Sequence, residues 1–382
     1  MKKQNRHPGI TRQQPSRRFP KGGWAVRYRN ANNATLRRTF KTEREALDFK
    51  GAVRTDIIRG VYRDDRKAMT PFATVAEDWF RTTSLLKSWT HKTAAGYRSI
   101  LDAHLLPEFG QRAVGRINAT DIEAMLAELG VSTGTRRNVL RVLKPVMQYA
   151  VKSKMIAENP CTEVKLDKAD RRKMLFLDAE QVRALADEIT PHYRTLVLFA
   201  AYSGMRAGEI AALQVKHIDP LRSRVTVERS VSDVGGVLHY GTTKTDRVRT
   251  VAVPSFIMKL LEPQMAGKDR DDLVFTGQNG APLRHGNYYQ RHFKPAVKRA
   301  LPEDLWKLRF HDLRHTAAAI LIAQGFHPKI IADRLGHSSI AITMDRYGHL
   351  YGDHDEPIKE KLEQLYKDAV PQPRQASVTP IR

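Results

Sequence analysis

Side chains that could act on a phosphodiester are concentrated between Arg206 and Tyr347. Arg206 is followed three residues later by Glu209, a spacing that lets an acid on the same helix face orient the guanidinium. His311 and Arg314 are separated by the same interval. Arginine suits phosphate, because its planar guanidinium pairs bidentately and stays charged at neutral pH. These residues predict a phosphate-binding site.

Three further residues extend this set. Lys244 lies between two strand-like runs, residues 224–227 and 249–253, so we expect it near the tip of a hairpin, where a long cation can reach a substrate. Arg247 and Arg249 are rivals for that role. His337 precedes Tyr347 by ten residues. A free tyrosine has a pKa of ~10, so Tyr347 would need activation to act as a nucleophile.

Other phosphate chemistries lack their signatures here. The sequence has no Gly-rich loop that ends in Gly-Lys-Ser/Thr, and no His-Glu-x-x-His pair. It also has no clear carboxylate cluster for two-metal hydrolysis. Charge stabilisation must therefore come from side-chain cations.

The ordered series resembles the tyrosine recombinase, or phage integrase, family. The series consists of Arg206, Lys244, His311-x-x-Arg314, Leu335-Gly336-His337 and Tyr347. The intervals match as well: 3 residues from His311 to Arg314, 10 from His337 to Tyr347 and 33 from Arg314 to Tyr347. Each motif alone is weak, but the ordered set is specific.

The resemblance implies a role for each member. Tyr347 would attack the scissile phosphate, form a 3′-phosphotyrosyl link and expel a 5′-hydroxyl. Arg206 and Arg314 would bind the non-bridging oxygens, where negative charge grows in the transition state. By its spacing, Glu209 would orient Arg206; the alternative is a plain helix-surface acid that pairs with a neighbour. No metal or nucleotide cofactor is implied, because the phosphotyrosyl bond conserves the energy of the broken phosphodiester.

The remaining roles concern proton transfer. By the resemblance, Lys244 would donate a proton to the leaving 5′ oxygen, His311 would help to deprotonate Tyr347, and His337 would hydrogen-bond a phosphate oxygen. His315 is interpreted as a packing or capping residue outside the site. Tyr351 is placed wrongly relative to Leu335-Gly336-His337 to be the nucleophile.

Composition points to a polyanionic partner. The chain has 382 residues, and 65 Lys+Arg against 41 Asp+Glu leave a formal charge of +24. Nucleic acid is the partner that this charge favours, over a merely well-solvated basic surface, and the family resemblance implies double-stranded DNA. Cys161 is the single cysteine and is interpreted as structural, which fits a reducing cytoplasm. There is neither a membrane-spanning apolar run nor a signal peptide.

Residues 1–66 form the first predicted domain and hold 18 Lys/Arg against 6 Asp/Glu. Residues 24–29 and 35–40 alternate as strands do, and Thr42 opens a helix with a Glu three residues later. The resemblance extends this to a small three-stranded sheet that binds arm-type DNA sites. The candidate DNA-binding residues are Arg27, Arg29, Arg37 and Arg38. A basic face without groove contact is the alternative.

Residues 67–166 form the second predicted domain, which reads as all-helical and resembles a core-binding domain. Arg136, Arg137 and Arg141 lie off the apolar face of a helix over 133–149, where they either bind phosphate or are only solvated. A charged linker follows over 167–173. Residues 174–350 would form the catalytic domain, mainly α with a small antiparallel sheet, and 351–382 a tail with an amphipathic helix. The fold class is α+β and multidomain.

The predicted function is site-specific recombination that integrates or excises a phage or mobile element in a bacterial cytoplasm. The family implies core and arm attachment sites, a homo-tetramer on DNA, a host DNA-bending factor and a directionality factor. The C-terminal helix would dock on a neighbouring protomer or pack on its own domain. A type IB topoisomerase-like enzyme and a non-catalytic DNA-binding regulator are the alternatives.

Overall fold

The computed structural model describes residues 7–29, 35–58, 65–167, 172–243, 247–351 and 355–369. Two compact units divide the chain, Met1–Arg171 and Arg172–Arg382. The boundary falls within the predicted linker. The expected α+β class is confirmed, because a small sheet and a helical region precede a mixed second unit.

The first unit begins with an antiparallel sheet in the order β1-β2-β3, followed by helix α1. These elements are β1 (Ile10–Gln13), β2 (Gly23–Arg29), β3 (Thr35–Phe40) and α1 (Glu43–Ile58). Thr42 and Glu45 bond each other's backbone N–H groups, as the sequence predicts for the helix start. Tyr28 and Phe40 contact Phe49 of α1, so the even-numbered residues of β2 and β3 face the helix.

The rest of the first unit is helical, as expected. Its helices are α2 (Asp65–Ala68), α3 (Phe72–Leu86), α4 (His91–Ile100), α5 (Leu106–Phe109), α6 (Ala119–Glu128) and α7 (Thr133–Lys152). Asn118 caps the start of α6 and forms a capping box with Asp121. Cys161 is buried in this core, and burial raises the pKa of its thiol to about 12, which fits the predicted structural role.

The second unit contains most of the helices and five short strands. Its helices are α8 (Ala179–Glu188), α9 (Arg194–Ser203), α10 (Ala207–Ala211), α11 (Ser255–Met265), α12 (His285–Tyr288), α13 (Lys294–Ala300), α14 (Asp312–Ala323), α15 (Pro328–Leu335), α16 (Ile340–Tyr347) and α17 (Asp355–Ala369). Its strands are β4 (Ile218–Asp219), β5 (Arg224–Val227), β6 (Arg229–Val234), β7 (Val237–Thr242) and β8 (Arg249–Ala252).

The two strand-like runs predicted on either side of Lys244 are β5 and β8, and they pair antiparallel. Strand β8 pairs with β5 in the sheet β4-β5-β8, whereas β7 pairs with β6 in a separate two-stranded ribbon. The ribbon turns at Gly235 and Gly236, both with positive φ, and it lies in the sequence between the two paired strands, where a simple hairpin connection was expected. Lys244 lies outside the described residues, so its place near a hairpin tip stays a prediction.

A large apolar core surrounds α9, whose Leu196 and Phe199 are fully or almost fully buried. A smaller cluster joins α14, α15 and α16 through Ile322, Leu335 and Tyr347. Helix α17 exposes an apolar stripe of Leu362, Leu365 and Tyr366. None of the helices within the described ranges is long and apolar enough to cross a membrane.

Candidate active site

The turn between α9 and α10 sets the position of Arg206. Gly204 ends α9 with φ of 70°, and a Cβ there would lie 2.7 Å from Leu335 Cδ2, so glycine is required. Arg206 follows as the N-cap of α10, with Glu209 in the first turn. The two side chains were expected on one helix face. Instead, Arg206 precedes the helix, and Glu209 accepts from both its backbone N–H and its guanidinium.

Glu209 lies between two guanidiniums and is 1% exposed. It accepts from Arg206 at 2.8 Å and from Arg249 at 2.7 and 3.0 Å. Burial acts to raise the pKa of Glu209, but the hydrogen bonds and charges of Arg249 and Arg206 outweigh it, so its pKa lies below the ordinary value. Glu209 is therefore a buried anion that fixes both arginines.

Arg314 comes from α14 and is almost fully buried. Its guanidinium donates to the Gly204 carbonyl at 2.7 Å and to the Leu335 carbonyl at 2.5 Å. Burial, together with the nearby charge of Arg206, lowers its pKa to about 9. Arg314 therefore remains a cation at neutral pH, although burial disfavours its charge.

His337 follows α15, and its ring stacks on Tyr347 with centroids 6.4 Å apart and an interplanar angle of 11°. Its Nδ1 bonds Thr343 Oγ1 at 2.8 Å, and its Nε2 is buried without a hydrogen-bond partner among the described residues. Burial and the charges of Arg314 and Arg206 lower its pKa to about 3, so the ring is neutral at pH 7. A buried polar atom without a hydrogen-bond partner is costly, so a partner supplied by a substrate would relieve that cost.

Tyr347 ends α16 and is 0% exposed. Its hydroxyl lies 2.7 Å from His315 Nδ1. Burial raises the pKa of Tyr347, while the positive charges of Arg314 and Arg346 act in the opposite direction. In this structure the phenol is thus protonated at neutral pH and shielded from water.

His315 was left outside the site on the sequence alone, and the structure places it against Tyr347. It is 5% exposed and contacts the ring of His311, four residues earlier, at a centroid distance of 5.1 Å. Its Nε2 lies 4.0 Å from Asp312 Oδ1, and Asp312 is in turn held by Arg309. The interval of four residues between His311 and His315 was the available signal, because such residues are helix neighbours.

The other predicted residues separate into groups. Arg249 is a partner of Glu209 and also donates to the Arg334 carbonyl at 3.0 Å. Arg136 donates to the Leu129 carbonyl at 2.9 Å, and Arg137 to the Asp167 carbonyl at 2.9 Å. Both of these helix cations therefore have partners within the protein, whereas Arg141 is exposed.

The basic residues of the first sheet divide between its two faces. Arg27 is directly opposite Arg37 in the register of β2 and β3, and Arg29 lies on the same face. Arg38 belongs to the helix-covered face, where its guanidinium lies 4.9 Å from the Phe49 ring centroid. Like charges directly opposite one another destabilise a sheet, and a bound anion between them would relieve this.

Two family models match the chain. The model described as "Phage integrase family" matches residues 175–354, and the one described as "Phage integrase central domain" matches residues 72–166. Together they cover more than half of the chain, and their boundary lies at the linker.

Curated relatives cover almost the whole chain. The ICEBs1 integrase of Bacillus subtilis strain 168 is 28% identical over 341 residues, which are 85% of this chain and 90% of the relative. The integrase of Mycobacterium phage L5 is 29% identical over 80% of this chain and 83% of its own length. The putative prophage phiRv2 integrase of Mycobacterium tuberculosis is 28% identical over 91% of this chain and 94% of its own length.

Solved structures share the fold. The Tn1549 transposon integrase in complex with a circular intermediate DNA has a TM-score of 0.66 at 20% identity, covering 77% of this chain and 99% of its own. A lambda integrase dimer bound to a core site has a TM-score of 0.57 at 16% identity, and the match covers 91% of this chain and 96% of the lambda integrase chain. The chain thus belongs to the phage integrase family and is a tyrosine-type site-specific DNA recombinase.

Proposed function

We propose that the chain cuts and rejoins DNA through a 3′-phosphotyrosyl bond to Tyr347, and so integrates and excises a phage or mobile element. The observation that carries the proposal is the clustering of Tyr347 with a neutral His337 and two arginines. The ring of His337 stacks on Tyr347, and Arg314 and Arg206 are near enough to lower the pKa of His337.

The charges of this cluster favour a phosphate. Arg206, Arg249 and Arg314 carry three positive charges, and Glu209 neutralises one of them. The remaining excess would stabilise the negative charge that grows on the non-bridging oxygens. The buried Nε2 of His337 would donate to one of those oxygens. Such preorganised donors stabilise the transition state without reorganising during the reaction.

The reaction balances without a cofactor. The phenolic oxygen of Tyr347 bonds to phosphorus while the bond from phosphorus to the 5′ oxygen breaks. The phenolic proton goes to a protein base, and the leaving oxygen receives a proton from Lys244, as the family resemblance implies. Rejoining reverses each transfer, so one set of groups serves both directions.

We further propose that the second unit acts on core-type sites and that the first sheet binds arm-type sites. Arg27, Arg29 and Arg37 on its open face support this, because an opposed arginine pair favours a bound anion. Arg38 would support the sheet by stacking on Phe40 and Phe49.

We also propose an oligomeric state and a cellular compartment for the chain. The chain would act as a tetramer on double-stranded DNA in a bacterial cytoplasm, with a host bending factor and a directionality factor as family expectations. A lambda integrase tetramer has been solved on a Holliday junction, with a TM-score of 0.54. Helix α17, with its exposed apolar stripe, would bridge protomers in that tetramer.

Trapping on a nicked suicide substrate tests the nucleophile. The native chain should form a covalent adduct that survives a denaturing gel, whereas Tyr347→Phe should form none, because it lacks the attacking oxygen. Tyr351→Phe is the matched control and should still form the adduct, since the change keeps the ring that packs near Tyr347 and removes only a hydroxyl that lies 3.5 Å from the Phe326 carbonyl.

An adduct with Tyr347→Phe would show that the nucleophile lies elsewhere. Relaxation of supercoiled DNA without an attachment site would instead favour topoisomerase-like behaviour.

A further inference from the structure

The hydroxyl of Tyr347 has a specific buried partner. His315 Nδ1 lies 2.7 Å from the Tyr347 oxygen, and both residues are buried. The two rings meet edge to face with centroids 5.7 Å apart and an interplanar angle of 62°. This geometry brings an imidazole nitrogen within hydrogen-bond reach of the atom that would attack phosphorus.

The charges around His315 determine which ring nitrogen carries the proton. Asp312 Oδ1 lies 4.0 Å from Nε2, on the side opposite Tyr347, and so favours the tautomer with the proton on Nε2. Asp312 is held in place by Arg309, which donates to both carboxylate oxygens. In that tautomer Nδ1 is an acceptor, and the phenolic O–H donates to it.

The groups that face His315 come from several elements. Asp312, Arg314 and His311 lie on or beside α14, Arg309 precedes that helix, and Arg346 belongs to α16. Burial is the largest influence and lowers the pKa of His315 to about 4, with Arg346, Arg309 and Arg314 acting in the same direction against Asp312. The ring is therefore neutral, and able to accept a proton, at any pH above about 5.

We propose that His315 accepts the proton of Tyr347 during strand cleavage and returns it during rejoining, with Asp312 as a positioning residue. This inference rests on Tyr347 being the nucleophile. The O–H bond of Tyr347 breaks as its oxygen bonds to phosphorus, and the proton moves to His315 Nδ1. The resulting imidazolium carries protons on both nitrogens, and the Asp312 carboxylate stabilises the positive charge. The leaving 5′ oxygen takes its proton separately, from Lys244.

The role of the base that deprotonates Tyr347 was predicted for His311 and is here assigned to His315. That ring lies at the exposed start of α14, and among the described residues the Tyr347 hydroxyl bonds His315. The two histidine rings are in contact, and burial together with the neighbouring His315 and Arg314 lowers the pKa of His311 to about 4.

Single-turnover cleavage of nicked site DNA by the full chain tests the proposal. His315→Asn keeps an oxygen near the position of Nδ1 that can accept the hydrogen bond, but it removes the base. Cleavage should slow by roughly 10²-fold, the usual contribution of a general base. Between pH 6 and 9 the native rate should be insensitive to this group, whereas the rate of the variant should rise with pH, because phenolate must then form unaided.

A substrate with sulfur in place of the scissile 5′ oxygen separates the two proton transfers. Sulfur leaves without protonation, so this substrate should restore cleavage by Lys244→Ala but not by His315→Asn. His349→Asn is the matched control, since His349 is exposed and only two residues from Tyr347, and it should cleave at the native rate. Unchanged binding of site DNA by each variant would exclude misfolding as the cause.

Three outcomes would overturn the inference. They are cleavage by His315→Asn at or above the native rate, an unchanged pH profile, and rescue by sulfur equal to that of Lys244→Ala. None of these outcomes would contradict the proposed function, which is tested separately by the loss of the adduct in Tyr347→Phe.

Discussion

At the scale of single residues, Glu209 holds two arginines of the proposed phosphate site, Arg206 and Arg249. Its carboxylate is 1% exposed and pairs with Arg206 and Arg249. A buried charge is tolerated only when it is paired, so each member of this group depends on the others. The placement of two cations by one anion makes Glu209 a positioning residue.

Glu209→Gln should therefore damage both stability and activity. The amide has nearly the same shape, but its NH₂ group would meet a guanidinium, and two arginines would lose their counter-charge. We expect a loss of roughly 3 kcal/mol in the opening free energy of α10, in line with broken buried ion pairs. Hydrogen exchange of the full chain measures this, and suicide-substrate trapping should show slower cleavage.

Asp219→Asn is the matched control for that substitution. Asp219 pairs with Arg222 three residues later, but both side chains are exposed. Exposed pairs contribute little, so the change should stay within about 0.5 kcal/mol. Equal losses in the two variants would contradict the role assigned to Glu209.

The sequence predicted part of this site well and part of it poorly. Arg206, Arg314, His337 and Tyr347 were identified through their order and spacing, and the contact between Arg206 and Glu209 through an interval of three residues. His315 was missed, because its interval of four residues from His311 indicates only that the two are helix neighbours and does not separate packing from proton transfer. Only the fold of α14 against α16 brings Nδ1 to the phenol.

At the scale of elements, the end of α9 determines the position of a guanidinium from α14. Gly204 adopts a left-handed conformation, and its carbonyl accepts from Arg314. The same residue packs so closely on Leu335 and Ala317 that there is no space for a side chain. Three helices thus meet at one peptide group.

Gly204→Ala should disturb this junction. The positive φ costs about 1 kcal/mol for a residue with a side chain, and the new Cβ would also push Leu335 away. Because the carbonyl of residue 204 would move, Arg314 would move with it, and cleavage should fall by roughly 10- to 100-fold. Single-turnover cleavage at a temperature where the variant is folded measures the effect.

Gly325→Ala separates the cost of the positive φ from the clash of the new Cβ with Leu335. Gly325 follows α14 with a φ of 75°, and a Cβ there would meet nothing within 4 Å. The control therefore has the same backbone cost without the clash, and it should cleave within about twofold of the native rate. Comparable cleavage defects in the two variants would show that backbone strain alone matters.

The sequence predicted helices and strands well where a short stretch of residues shows the periodicity of the element. Helices α1 and α7 and strands β2, β3, β5 and β8 appear close to their expected positions. The ribbon of β6 and β7 was missed, because its residues are polar and half-exposed and so lack a clear alternation. Pairing of β8 with β5 joins residues about 25 apart, and such long-range pairing is not encoded in local pattern.

At the scale of the whole molecule, the C-terminal helix α17 exposes an apolar surface. Leu362, Leu365 and Tyr366 are each at least 60% exposed on α17. In contrast, Leu350 and Tyr351 pack against the cluster that contains Tyr347. A truncation that tests assembly should therefore begin after Tyr351.

Deletion of residues 355–382 should leave cleavage of a single nicked site intact and impair tetramer formation on DNA. The reason is that the apolar stripe would be lost while the packing around Tyr347 remains. Native gels of paired sites measure assembly, and denaturing gels measure cleavage. Leu362→Ser with Leu365→Ser should reproduce the deletion, whereas Gln364→Ser should not. Normal synapsis by the truncated chain would refute the bridging role.

The complete burial of Tyr347 has a consequence for how such a gene decays. The ring fills space among Ala318, Ile322 and Leu335, so replacing it with a small residue would leave a cavity and cost roughly 3–5 kcal/mol. Phenylalanine alone keeps the ring while removing the oxygen. A phage or mobile element whose integrase is inactivated by mutation of this residue therefore encodes one of two products. Either the protein no longer folds, or it is a stable, inactive protein that still binds DNA and can occupy the attachment sites.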